Sequence, residues 1–588
     1  MTASSFAAAV VLVSVGLVAA CSTGDPGAPG PKGGDDGTGP NGAITFHEDV
    51  EPILQKRCQK CHQPGGLAPF SLLTYADAKP MAPMMTAETA ARRMPPWGAH
   101  DTEECKPRLG WNHDERLTDA EIKTIADWDA AGAPEGDPKD APPPASTKPL
   151  TLANPTHTLA PKSAWTSNGK DDQFRCFVLD APTLEAGAYV NGVHVVPGNR
   201  KVVHHAVVFT DPDGAFSKSR VGADGSFECS SAATMQGGAM TVSSDPTKIP
   251  IILDVWTPGV EPVELPSSIA IPVTPGSKIV LQIHYSPGGR DDNEPDTTKV
   301  ELRTTLQRPD YLLFTSGVGN YPAPINGEGL LPGPNDQGAP EFRIPAREAK
   351  HVESMIGTIP ARLPGQENMD VWIYGVMAHA HLAGVDVKID LEKKGDTQCL
   401  LQDRWDFHWQ RMYTYASPIE TLPTLDPGDK IRLRCTYDNT MGNRRLAAEY
   451  RARELQPMDI HLGEETLDEM CLAITQLLVK NPGDETCKMH ATAAACNTCC
   501  YANHATGTDH LVKELAKCEC GANGPCQAAC ATTLCASPVV AADAACQACT
   551  AGNITTTCSS VLTSCYGVPD CAALLGCLTN SGCASKLP

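Results

Sequence analysis

The sequence predicts a multidomain chain with a small all-α unit near the N-terminus, two all-β units in the middle and a disulfide-rich C-terminal region. Three observations predict it. Apolar residues at helical spacing mark residues 43–138, with Leu117, Ile122, Ile125 and Trp128 as the clearest set. From 150 to 486 the texture turns to short alternating runs such as KVVHHAVVFT, SKIVLQIHYS and DKIRLRCTYDN, separated by Pro, Gly and Asp, the pattern of antiparallel sandwiches. Sixteen of the 25 cysteines then crowd into 487–583, well above the density that marks a disulfide scaffold. At 588 residues the chain is too long for one core. Its formal net charge of -22 argues against a nucleic-acid partner, whose phosphates require basic surfaces. The cysteine count points to an oxidising compartment.

Residues 1–20 read as a signal peptide, because the apolar run from Phe6 to Ala20 is short for a permanent membrane span. LVAAC resembles a bacterial lipobox, so the mature chain is expected to begin at a lipidated Cys21, anchored to a membrane in the periplasm or at the outer-membrane or cell surface. No Lys or Arg precedes the apolar run, and an ordinary secretory signal is the alternative. Residues 21–42, rich in Gly, Pro and Asp, read as a flexible tether.

The unit at 43–138 has helical patterning in FHEDVEPILQKRC and in LTDAEIKTIADWDAAG, the second with Thr118 and Asp119 as start signals. Between them lies Cys58-Gln59-Lys60-Cys61-His62. Two thiols three apart on a helical turn can each add to a haem vinyl group while the next residue reaches the iron. CxxCH in an exported chain therefore reads as c-type haem attachment, with a disulfide or a zinc site as the alternatives. The unit resembles a small cytochrome c domain. Met94 in RRMPPW is the expected second axial ligand, with Met81, Met84 and Met85 as competitors. Arg92 and Arg93 are candidates to neutralise haem propionates, though paired arginines are more often a solvated face. Residues 139–149 are a Pro-rich linker.

Within the β-rich part, His204 and His205 interrupt an apolar, β-branched run, where imidazoles are costly unless something binds them. Neighbouring side chains on a regular strand point to opposite faces, so both reach one ion only near a strand end or a distortion. His284 in QIHYS is a third candidate, and His379 and His381 in MAHAH lie two apart on one face of a strand, so two separate metal sites are expected. Gln282, on the strand of His284, is expected to project towards that site behind its ligands, and Asp406, His408 and Gln410 are candidates to line the second site or a substrate cleft.

The ordered set HH, QIHY, HAH and DEMC, with the VWTPG turn at 255–259, Leu265-Pro266 and RCTY at Cys435, resembles the copper type II ascorbate-dependent monooxygenases. That is the family of peptidylglycine α-hydroxylating monooxygenase and dopamine β-monooxygenase, and the likeness covers roughly residues 150–487. It implies two jelly-roll-like domains, 150–306 and 307–486. It also implies one copper on His204, His205 and His284 and a second on His379, His381 and Met470, where dioxygen reacts. A Cys435–Cys471 disulfide is implied as well. Long insertions such as 317–345 depart from the family and put substrate and reductant in doubt. Three histidines alone would also suit zinc and a hydrolytic water, but a thioether such as Met470 favours Cu(I).

Setting aside Cys21, Cys58 and Cys61 leaves an even number of cysteines, compatible with complete pairing. Cys176 and Cys229 are expected to pair, whereas Cys105 and Cys399 have no assignable partner, and the region 487–588 is expected to be held by disulfides rather than to store metal. The expectation is an exported copper monooxygenase acting with O₂ on a small organic or peptide substrate, taking electrons from an external donor through the haem. The rival is a non-catalytic electron-transfer or copper-binding surface lipoprotein. With the linker as the one evident connection and a balance of -22 showing no basic docking patch, the haem unit is expected to reach the first copper by collision.

Overall fold

The computed structural model describes residues 44–580 apart from 145–150, 180–187, 230–249, 287–293, 361–368 and shorter breaks. The signal peptide, Cys21 and the tether lie outside the described residues, as does part of the Pro-rich linker.

The N-terminal unit is helical. A π-helical turn, Phe46–Val50, runs into Glu51–Arg57, and Ala82–Ala90 and Asp119–Ala130 follow. Asp119–Ala130 starts where the sequence signals a start: Thr118 accepts from the Glu121 amide while Glu121 accepts from the Thr118 amide, a reciprocal capping box. Phe46, Leu54, Ile125 and Trp128 close the core, and the Trp128 indole donates to Pro134 O.

The β-rich part has three principal sheets. One, of five strands, is ordered Ser226–Glu228, Gln173–Leu179, Lys278–Tyr285, Val203–Asp211, Ile252–Trp256. A six-stranded sheet beyond residue 320 includes Ala349–Thr358, Lys430–Asp438, Gly384–Lys393 and Asp396–Asp403. The third has nine strands and runs through both units. Strand Ile269–Pro272 pairs in parallel with Tyr311–Gly319, which leads on to Leu472–Lys480 and Val371–His379. The two sandwiches are therefore welded along a shared sheet, and one apolar core extends from Val190 and Leu281 to Ile373 and Leu433. Such continuity holds the two candidate metal sites in fixed relation.

The helical unit is docked rather than tethered, which corrects the collisional expectation. Residues 97–112 leave it and lie on the second sandwich. Ala99 bridges to Asp403 and Trp111 to Tyr415, while Trp97 and Trp111 join the large core. The His100 amide donates to Gln402 O at 3.1 Å and the Asn112 amide to Thr414 O at 2.8 Å. A Cβ on Gly98 would run into the buried Asp403 carboxylate, which would have to shift to admit it. The two cysteines left without partners close the seam: Cys105 and Cys399 form a disulfide across a sequence separation of 294. Lys60 adds ion pairs to Glu115 and to Glu261 of the first sandwich, and Arg411 of the second sandwich pairs with Glu115 at 3.2 Å.

Disulfides Cys176–Cys229 and Cys435–Cys471 are both present. The C-terminal region is helical, from Ala493–Asn503 to Pro569–Asn580, and its core is largely half-cystine with Leu511, Leu515, Val561 and Leu574. Among the described residues, the free cysteines are Cys58 and Cys61, so the described sulfurs of the tail are engaged in bridges and unavailable as thiolate ligands.

Candidate metal centres

Strand Val203–Asp211 carries the distortion that shared ligation demands. Val203 pairs with Tyr285 but His205 with His284, so His204 is an extra, bulged residue and both imidazoles turn to one side. Nδ1 of His204 and Nδ1 of His205 are 3.2 Å apart. With His284 they place one ring nitrogen each within 4.8 Å of one another. Nε2 of His284 donates to Asp172 Oδ1 at 3.0 Å, and its Nδ1 is buried with no hydrogen-bond partner among the described residues, which leaves that lone pair for an ion. Asp172 also accepts from Thr466 Oγ1 at 2.7 Å and from Arg453 at 3.0 Å, both in the second sandwich. Burial works against its charge, but its interaction with His284 and the hydrogen bond from Thr466 outweigh it and hold the carboxyl well below its usual range.

His379 ends strand Val371–His379, and His381 lies just beyond it. Each is oriented through Nδ1, His379 donating to Gln410 Oε1 at 2.8 Å and His381 to Asp468 O at 3.0 Å, so each keeps Nε2 for a ligand. The Gln410 amide is fixed in that sense because its Nε2 donates to Phe407 O at 3.1 Å. Met470 is buried and shares with His379, His381 and His205 a small cavity of about 20 Å³, walled by Val207, Val255 and Ile474. The Cys435–Cys471 bridge pins the neighbouring residue of Met470 to the opposite sheet, and Tyr437 donates to Met470 O at 2.8 Å. Burial lowers His379 to about 4 and His381 to about 3, and holds His204 and His205 well below an ordinary imidazole. All four are thus neutral and competent to bind metal at physiological pH.

The two sets face each other, the rings of His205 and His379 lying 6.2 Å apart. The expectation of two separate sites thus becomes two donor sets on opposite walls of one cleft. Phe407 stacks on His204 at 4.2 Å. Gln282 aims its amide at Cys229 Sγ, 3.9 Å away, alongside the disulfide. Of the trio Asp406, His408 and Gln410, Gln410 holds a candidate ligand. Asp406 pairs with Arg445, and His408 is exposed.

Two carboxylates escaped the sequence reading. Asp172 is signalled only by standing at the mouth of the strand paired with that of His284. Glu469, in DEMC, accepts the backbone amides of His381, Ala383, Gly384 and Met470 at 2.6–3.0 Å, tying the HAH turn to the methionine. Burial raises it to about 7.

A second cavity, of about 420 Å³, opens beside Cys58, Cys61 and His62. The amides of Cys61 and His62 both donate to Cys58 O, the helical turn expected of the motif. His62 Nδ1 donates to Phe70 O at 3.3 Å and leaves Nε2 for an axial bond. Met81, Met84, Met85 and Met94 all line this cavity. Arg92 and Arg93 do not serve it as supposed. Arg92 pairs with Asp119 and Arg93 with Glu88, on the solvated face, while Lys56, Arg57, Lys60 and Arg411 are the cations lining the cavity.

Residues 340–499 match the family model "Copper type II ascorbate-dependent monooxygenase, C-terminal domain", a span that contains His379, His381, Met470 and both members of Cys435–Cys471. The human protein named "DBH-like monooxygenase protein 1" is 22% identical over 344 residues, covering 55% of this chain and 51% of the relative. Its mouse counterpart is 23% identical over 348 residues with the same coverages, so the chain spans about half the length of these relatives. Among solved structures, the major capsid protein P2 of bacteriophage PM2 is similar at a TM-score of 0.22 and 8% identity, over 56% of this chain and 99% of that one, too low a score to carry an argument.

Proposed function

We propose that this chain is an exported, lipid-anchored copper monooxygenase that hydroxylates a C–H bond of a small organic or peptide substrate with O₂. The observation that carries the reading is the cleft itself. Five imidazoles and one thioether converge there from two sandwiches, each of the His284, His379 and His381 rings oriented by a carboxylate or carbonyl partner. His379, His381 and Met470 would hold the ion nearest O₂ and substrate, and His204, His205 and His284 the other. Copper supplies one-electron chemistry and affinity for dioxygen, which zinc with the same imidazoles lacks.

Inserting one oxygen atom into C–H while reducing the other to water takes two electrons and two protons beyond those of the substrate. The N-terminal cavity fits a c-type haem as donor: two free sulfurs on one turn, an oriented His62, methionines opposite and flanking cations. Met94 is our choice for the second axial position. Asp172 and Gln410 keep the His284 and His379 rings in one tautomer, and Val207, Val255 and Ile474 give the cleft between the two sets an apolar wall.

The test is metal and haem analysis of the purified full-length protein, followed by O₂ uptake with ¹⁸O₂ and candidate substrates. Two coppers and one covalent haem per chain, with label in a hydroxylated product, are expected. The carrier reading is favoured by one observation, a central cavity of about 20 Å³ that admits a water-sized molecule but no organic substrate. Reversible metal redox with no labelled product would select it.

A further inference from the structure

We infer that the turn formed by residues 405–411 is the electron bridge between the N-terminal cavity and the copper cleft, with Trp409 and Gln410 as its conducting pair. The inference rests on the haem and copper reading above and deepens it. Most of the 420 Å³ cavity belongs to the helical unit, but Trp409 and Arg411 of the second sandwich complete its wall. The next residue after Trp409 is Gln410, whose Oε1 accepts the His379 ring proton at 2.8 Å. One peptide unit, one side chain and one hydrogen bond thus join an indole at the first cavity to a ligand of the second.

The turn is fixed. The Trp409 amide donates to Asp406 O at 2.8 Å, Thr257 of the first sandwich donates to Gln410 O at 2.8 Å, and Gln410 is buried. Arg411 pairs with Glu115 of the helical unit and lies 5.2 Å over the Trp97 ring, which holds the cavity against the turn. Phe407 offers a branch to His204, but through ring stacking at 4.2 Å rather than through bonds. The step is a single electron transfer in which ferrous haem becomes ferric and the cupric ion at His379 becomes cuprous, with no bond broken and no proton moved. The structure therefore assigns the first acceptor to the His379 site, not the His204 site.

The experiment uses the full-length, haem- and copper-loaded protein under argon. A flash-excited flavin reduces the haem, and the return of the ferric band is followed. Trp409→Leu is expected to slow that return several-fold, because an aliphatic side chain replaces the conjugated indole at the cavity wall. Trp409→Phe should stay near the parent rate and Phe407→Leu, which removes only the stack on His204, should slow it less than Trp409→Leu does, with haem spectrum, haem potential and copper content measured for each variant so that rates are compared at equal driving force. A Trp409→Leu protein returning at the parent rate overturns the inference, as does a Phe407→Leu protein that alone is slow. A parent with no covalent haem, or with a return independent of copper, removes the donor reading beneath it, and the parent's own trace tells that failure from the first.

Discussion

Met470 separates copper from zinc among the residues of the cleft, because a thioether binds Cu(I) well and Zn²⁺ poorly. Met470→Ala is expected to abolish hydroxylation and lose one copper per chain while the His204 set keeps the other. Turnover surviving the change, read as labelled product, would refute the assignment. Asp403 matters at the seam between units. Its carboxyl group is buried against Gly98, Oδ2 has no hydrogen-bond partner among the described residues, and burial together with Asp386 and Asp406 raises it to about 8 despite Arg411. An acid whose folded pKa exceeds its unfolded one binds protons more tightly when folded. Its stabilising contribution is therefore complete below its unfolded value of 3.8 and is lost as pH rises through about 8. Asp403→Asn should flatten that slope and recover roughly 1–3 kcal/mol at the alkaline end, the cost of an unsatisfied buried polar group. Melting curves across pH that keep the same slope in the variant would count against it.

Among the elements, those with a local pattern were legible. The Asp119 helix follows its capping box, and the runs around His204 and His284 are strands in register with each other. The requirement for a distortion at His204 also followed from strand geometry alone. Asp172 and Glu469 were not legible, because each acts mainly through partners more than 80 residues away and leaves no periodic trace. Glu469 gives the sharpest test of how the HAH turn is held. Glu469→Ala orphans four buried amides, so a loss of at least roughly 3 kcal/mol is expected, together with weaker copper binding at the second site. Glu469→Gln, which retains one acceptor oxygen, should lose less. Denaturant midpoints and copper titrations check both, and an Ala variant as stable as its parent would show that the turn is held otherwise.

For the whole molecule, the assembly of the units was the least legible feature, since a net charge of -22 describes the total and not the seam. Local complementarity exists within it, in Lys60 between Glu115 and Glu261 and in Arg411 on Glu115. Cys105–Cys399 was reachable by elimination, had the sixteen tail cysteines been taken to pair among themselves as most do. A docked unit behaves differently from one on a tether, where effective concentration falls as the linker grows. Lengthening the spacer at 141–149 with Gly and Ser is therefore expected to leave the rate of haem reoxidation unchanged, because the seam sets the distance. Removing the bridge with Cys105→Ser and Cys399→Ser should cost about 2–4 kcal/mol, as disulfides closing long loops do. In that background alone, spacer length should begin to matter, because the docked state is no longer covalently enforced. Stopped-flow traces for the four combinations of long or short spacer with intact or deleted bridge decide the point: a rate that falls with spacer length while the bridge is intact would return the unit to collision.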